Sequence, residues 1–134
     1  MRCIEFRGKT KDGKWVYGDL VHSENGFVIR QKYCYCKDDE DRWYTTIRNE
    51  VEKSTIGQYT GVEDSCGNKI FEGDIYSMMS CSSRSDMPYK SDNYVVEYIN
   101  GGFWIRNKRR RFAMGAHCAG SVIGNIYDNP ELME

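Results

Sequence analysis

Arg106, Lys108, Arg109, Arg110 and Arg111 place five cations in six positions, just after the aromatic hairpin that carries Phe103 and Trp104. A cluster this dense neutralises phosphates, and a neighbouring ring can stack on an unpaired base. The competing reading is a solvated turn, or a partner for the acidic run Asp38-Asp39-Glu40-Asp41. Adjacent residues of a strand face opposite ways, so only one of Phe103 and Trp104 can join the patch.

Six cysteines and two histidines are the other reactive side chains. Cys34, Cys36, Cys66, Cys81, Cys118, His22 and His117 are all candidate metal ligands. A Cys-x-Cys pair on a strand, as at Cys34 and Cys36, puts two sulfurs on one face. Structural zinc usually draws on Cys-x2–4-Cys turns, which the chain lacks, so buried thiols and no metal are expected. A cysteine nucleophile, Cys118 or Cys81 with His22 as base, has no spacing to support it. Asp19 and Asp74 differ from the acidic run because each follows a glycine, Gly18 and Gly73, at a strand bend. Hydrogen bonding to nearby backbone N–H groups, an Asx-type lock on the bend, is the expected role of both. No Gly-rich phosphate loop is present. The residues thus predict no enzyme and no cofactor.

Net charge is −1, so no global field favours nucleic acid or an anionic membrane. No apolar run approaches the roughly 20 residues that cross a bilayer. The opening Met1-Arg2-Cys3-Ile4-Glu5-Phe6 shows no secretory h-region, which predicts a cytosolic protein with reduced thiols, Cys3 included.

Strands must position these groups. Aromatics make up 13% of the chain and 13 residues are glycine, a pairing that suits short strands joined by tight turns. Ile4 and Phe6 alternate with Glu5 and Arg7, and Gly8 is expected to end that strand. Asp12-Gly13 and Asn25-Gly26 are turn signals around the strands 14–21 and 27–30. Tyr33-Cys34-Tyr35-Cys36 and Trp43 to Ile47 read as strands either side of a charged turn. Ile56 to Gly61 is an extended piece, Cys66-Gly67-Asn68 a turn, and Lys69 to Tyr76 one strand with a bulge or bend at Gly73. Residues 77–93 hold six serines and read as an exposed loop. Tyr94 to Ile99, the turn Asn100-Gly101-Gly102, and Phe103 to Arg106 form the strongest hairpin. Phe112 to Ala119 has room for a turn or two of helix, and Val122 to Tyr127 is the last strand. Asn129 is placed to cap a short terminal helix with Pro130 at its first position.

The fold predicted is mostly β: a compact antiparallel β-barrel or meander in a single domain, 1–134, with possible lobes 1–50 and 51–134. Lys14-Trp15-Val16-Tyr17-Gly18-Asp19-Leu20 aligns with Lys69-Ile70-Phe71-Glu72-Gly73-Asp74-Ile75. Either duplication or convergence on one strand-bend solution accounts for the match.

Thr55 to Asp64, with Gln58-Tyr59-Thr60-Gly61 at its centre, and then Gly67 to Ile75 resemble the hallmark of the YopX family. Ile4-Glu5-Phe6-Arg7-Gly8-Lys9 and Trp15 to Leu20 are similar to that family's N-terminal signature. Val95-Val96-Glu97-Tyr98 with Gly101-Gly102-Phe103, and Val122 to Leu132, are similar to its later blocks. The resemblance implies a mostly β protein carried by phages, prophages or other mobile elements of bacteria, with no assigned activity. The insert Tyr33–Asp41 and the loop 77–93 depart from the family pattern.

The expectation is therefore a non-enzymatic phage or prophage accessory protein in the bacterial cytoplasm. It acts by binding an unknown protein partner or by self-association as a homo-oligomer, without membrane contact. Exposed strand edges and aromatics on both strand faces favour the oligomer. The alternative is a small β-barrel nucleic-acid binder using the basic cluster 106–111.

Overall fold

A computed structural model of the chain describes residues 2–36, 42–79, 91–115 and 120–134, the side chains of 32–36, 42–45 and 79 excepted. It contains the strands β1 (Phe6–Lys9), β2 (Trp15–Ser23), β3 (Gly26–Cys36), β4 (Arg42–Val51), β5 (Gly57–Glu63) and β6 (Lys69–Phe71). β7 (Asp74–Met79), β8 (Ser91–Ile99), β9 (Gly102–Arg106), β10 (Arg111–Ala113) and β11 (Gly120–Asn125) follow. The described helices are 3-10 turns, Lys53–Thr55 and Pro130–Met133, and none is long and apolar enough to cross a membrane. The mostly β, antiparallel expectation holds. The chain divides into two compact units, Cys3–Gln58 and, with Arg2, Tyr59–Glu134.

In Cys3–Gln58 the hydrogen-bonded order is β4-β3-β2-β1, and the first residues of β5 pair with β1, Gln58 opposite Phe6. Period-two alternation buries Val16, Ile29 and Val51, with Phe6, Leu20, Phe27 and Ile56 packed against them. Gly8 lies inside β1 instead of ending it, paired with Val16, and a Cβ there would sit 2.8 Å from the Val51 Cβ. β2 changes partner midway: Trp15 to Gly18 pair with β1, and Asp19 to Ser23 pair with β3. At the exchange the strands come so close that a Cβ on Gly18 would sit 2.2 Å from the Arg30 carbonyl oxygen. Only glycine fits there.

β3 and β4 run on past the end of that sheet. The last β2–β3 pair is Asp19 opposite Arg30, but β3–β4 pairing continues from Gln31 opposite Ile47 to Cys36 opposite Arg42. The far half of this hairpin is a two-stranded arm, and the acidic run Asp38–Asp41 between its strands lies outside the described residues.

In Tyr59–Glu134 a five-stranded sheet runs β10-β9-β8-β7-β11, and the remainder of β5 forms a hairpin with β6. Ile70, Tyr76, Met78, Tyr94, Val96 and Ile105 make the core, and Phe112 meets the Tyr94 ring edge-on at 5.9 Å. The predicted hairpin at Asn100 is tight. Asn100 and Gly101 both have positive φ, 51° and 82°, the signature of a type I′ turn matching strand twist.

Several sequence expectations change. Neither sheet closes into a barrel: among the described residues β4, β6, β10 and β11 are edge strands, and β10, with three residues, is too short to carry a ladder onward. The strand expected over 69–76 is two, because Gly73 takes φ 85° and turns the chain between β6 and β7. The matching Gly18 stays within a continuous strand, so the repeated Gly-Asp segments adopt different conformations. β7 reaches Met79 and β8 starts at Ser91, so both ends of the expected loop 77–93 are strand; 80–90 lie outside the described residues. Phe112 and Ala113 belong to β10, not to a helix. Pro130 does open the terminal turn, but the Asn129 side chain makes no cap to it and instead accepts from the Asn125 N–H at 3.4 Å.

Candidate functional site

The basic cluster occupies the β9–β10 hairpin. Ile105 is fully buried and fixes β9 to the core, with Phe112 opposite it on β10. Asn107 then ends the strand. Its N–H donates to the Arg110 carbonyl at 2.9 Å, and its side-chain oxygen accepts from the N–H groups of Arg109 and Arg110, each at 2.8 Å. This Asx lock holds Lys108, Arg109 and Arg110 exposed at the tip. None of these three has an ion pair among the described residues. Lys108 and Arg109 border an open groove of about 310 Å³ whose opposite wall includes Asp92, Asn93 and Glu134.

The two flanking arginines are already engaged. Arg106 donates from Nε and Nη2 to the two carboxylate oxygens of Glu97 at 2.9 and 2.5 Å. That bidentate bond raises the Arg106 pKa further and neutralises its charge locally. The Arg111 guanidinium lies over the Trp104 ring, 5.4 Å from its centroid. Phe103 packs edge-on against Tyr98 at 5.1 Å. Trp104 is thus the ring that accompanies the patch, with Arg111 over it. Burial pushes the Tyr94 phenol above its ordinary value, Asp92 adds to this, and Arg110 and Asn107 oppose it.

The paired bends separate in role. Asp74 is 2% exposed and accepts from the Phe71 N–H at 2.8 Å, the expected lock across the Gly73 turn. Asp19 does not bind backbone: it accepts from Arg30 Nη2 across the strand pair at 3.3 Å, at the surface. The difference follows from the backbone, since Gly18 keeps the strand extended and leaves no N–H turned toward the carboxylate.

Cys3 and Cys66 are exposed thiols, and His22 stacks on Phe27 at 4.6 Å. No group of three metal-ligating side chains forms among the described residues. The side chains of Cys34 and Cys36, and all of Cys81, His117 and Cys118, lie outside them.

Two residues escaped the sequence reading. Asp64 is 7% exposed and accepts from the N–H groups of Cys66, Asn68 and Val122 and from the Asn68 side-chain amide, at 2.8–3.2 Å. Its local part, an acid before Ser-Cys-Gly-Asn, was a readable Asx-turn signal; the bond to Val122, 58 positions on, was not. Arg7 is buried with its guanidinium 4.8 Å from the Trp15 centroid. Nothing in an alternating Phe-Arg-Gly strand announces a buried cation.

A second surface lies on the β3–β4 arm. The buried stripe of the sheet runs along the ladder from the Val51–Phe27 pair through Asn49–Ile29 to Ile47–Gln31. Asn49 donates to the Gln31 side-chain oxygen at 3.1 Å, and one step beyond the core Ile47 is 41% exposed. The next register positions along the ladder hold Tyr33 opposite Thr45 and Tyr35 opposite Trp43.

The family model described as "YopX protein" matches residues 5–134. Among solved structures, the crystal structure of protein EF1440 from Enterococcus faecalis is similar at TM-score 0.61 and 20% identity, over 100% of both chains, a likeness of fold. No curated protein matches the chain.

Proposed function

The chain belongs to the YopX family, and from that premise we propose that it is a non-enzymatic accessory protein of a phage or prophage. It works in the bacterial cytoplasm by protein binding, and first of all by self-association. The observation that carries this reading is Ile47, 41% exposed at the first step of the ladder where β3–β4 pairing continues beyond β2. An isolated two-stranded ribbon is marginal in water, so an arm rich in tyrosine and tryptophan gains most from a covering partner. Light scattering across a wide concentration range tests it. The expected mass exceeds the 15.6 kDa of one chain and falls on dilution; a single-chain mass throughout removes the reading.

A second reading rests on the three exposed, unpaired cations held at one turn, next to Arg111 over the Trp104 ring. In it Lys108, Arg109 and Arg110, with Arg106 and Arg111 flanking, hold phosphates of a single-stranded nucleic acid, and Arg111 swings off the Trp104 ring to admit a base. Changing the three tip residues to serine then lowers the slope of log affinity against log salt by about 2, at roughly 0.7 per phosphate contact. Failure of the wild-type protein to bind heparin or single-stranded DNA at low salt ends this reading.

A further inference from the structure

Building on the self-association reading, we infer that two copies join edge to edge along β4, antiparallel, about a twofold axis at Thr46. Arg42 of each copy then lies opposite Glu50 of the other. Among the described residues β4 is the outer strand of its sheet and, at ten residues, the longest free edge. Thr46, Ile47, Arg48 and Glu50 along it are exposed. An edge of this length with unpaired N–H and C=O groups is a template for another strand.

The charges select the register. When a strand pairs with its own copy about a twofold axis, opposed positions have a constant sum and share a sheet face. An axis at Arg48 sets Arg48 against its own image, which like charge disfavours. An axis at Asn49 pairs Arg48 with Glu50 but overlaps only 47–51. An axis at Ile47 leaves Arg48 opposite Thr46 and Glu50 opposite Tyr44, so no charge is matched. The axis at Thr46 overlaps 42–50, roughly 30 Å of edge at 3.4 Å per residue. It matches Arg42 with Glu50 twice and Arg48 with Tyr44 twice. It also sets Ile47 opposite Thr45 and Trp43 opposite Asn49 in the register. The pairing is self-complementary and closes after two copies.

Disulfide trapping and charge exchange on the full chain test this. Thr46→Cys places two thiols at directly opposed positions, with Cα atoms about 4.5–5.5 Å apart, within reach of a disulfide. The expected result is a covalent dimer under mild oxidation, well above the wild-type background and above Ile47→Cys. Glu50→Arg is expected to weaken the dimer on the order of tenfold, and Arg42→Glu added to it to restore binding. Circular dichroism of each variant confirms the fold, since the substituted positions lie on the free edge. A dimer by light scattering that is neither trapped by Thr46→Cys nor weakened by Glu50→Arg overturns this register and leaves self-association through another surface. Preferential trapping by Ile47→Cys overturns it too, and a monomer at every concentration removes both readings.

Discussion

Replacing Asp64 with alanine is expected to unfasten β11 from the β5–β6 turn and to lower the stability of the Tyr59–Glu134 unit by about 2–4 kcal/mol. The carboxylate accepts from the N–H groups of Cys66 at 2.9 Å, Asn68 at 2.8 Å and Val122 at 3.0 Å, and from the Asn68 amide at 3.2 Å. A hydrogen bond to a charged group contributes about 1.5–3 kcal/mol. Cys66 and Asn68 are exposed, and their donors regain water when the carboxylate goes. Val122 is half-buried and its N–H does so poorly, so only one or two of the four bonds count in full. With an unfolding entropy of about 2.1 cal/mol/K per residue over this chain, the loss corresponds to a Tm lower by about 10 °C. Thermal melting gives the global effect, and amide exchange at Val122 gives the local one. The pH dependence has a defined sign. Burial pushes the Asp64 carboxyl up, but the bonds from Val122, Asn68 and Cys66 outweigh it and hold the pKa below the ordinary 3.8. A carboxyl lowered in the folded state contributes stability above its unfolded value and loses it as pH falls through the folded value. The gap between wild type and Asp64→Ala is therefore full at neutral pH and shrinks on acidification below about pH 4. A gap within about 0.5 kcal/mol of zero at neutral pH, or one that stays constant into acid, would refute the reasoning.

Gly18→Ala forces a Cβ to 2.2 Å from the Arg30 carbonyl oxygen and is expected to cost about 2–4 kcal/mol in urea unfolding; wild-type stability would show that β2 and β3 can separate there freely. At the β8–β9 turn, where Asn100 has φ 51°, Asn100→Ala is expected to lose about 1 kcal/mol while Asn100→Gly stays within a few tenths, both read by denaturant titration. A double-mutant cycle on Glu97 and Arg106, whose side chains are 25% and 49% exposed, is expected to give a coupling of about 0.5–1 kcal/mol that salt weakens; a coupling insensitive to salt would contradict its placement at the surface.

Local rules made much of this fold readable. The alternation of Val95 to Ile99 and Phe103 to Arg106 around Asn100-Gly101 defined β8 and β9, because turn chemistry and period-two burial agree there. The same logic gave an interruption at both Gly18 and Gly73, and the structure has one only at Gly73. A glycine before an aspartate signals an unusual backbone, but whether it marks a close approach or a turn depends on the strand beside it. Barrel closure was likewise out of reach, since it depends on which strands stop early, as β10 does after three residues. At the basic hairpin the sequence supplied the charges and the opposed rings. It did not reveal that Glu97, nine positions back and on the neighbouring strand, takes Arg106, or that Arg111 folds onto Trp104. The β3–β4 hairpin was legible as three strand pieces, 27–30, 33–36 and 43–47, of which the structure joins the first two into β3. Its projection beyond β2 was not, because strand length alone does not say where a neighbour ends.

That projection carries a hazard as well as an opportunity during synthesis and storage. A ribbon with an open border and an aromatic-rich sequence invites indiscriminate stacking into insoluble material, above all while the chain is newly made and crowded. Under the edge pairing inferred above, the charges at positions 42, 48 and 50 would act as gatekeepers that favour one arrangement of neighbours over others. Neutralising all three to glutamine should therefore send the overexpressed protein into inclusion bodies, and recovery of the triple variant in the soluble fraction at wild-type yield would show that the border is guarded by something else.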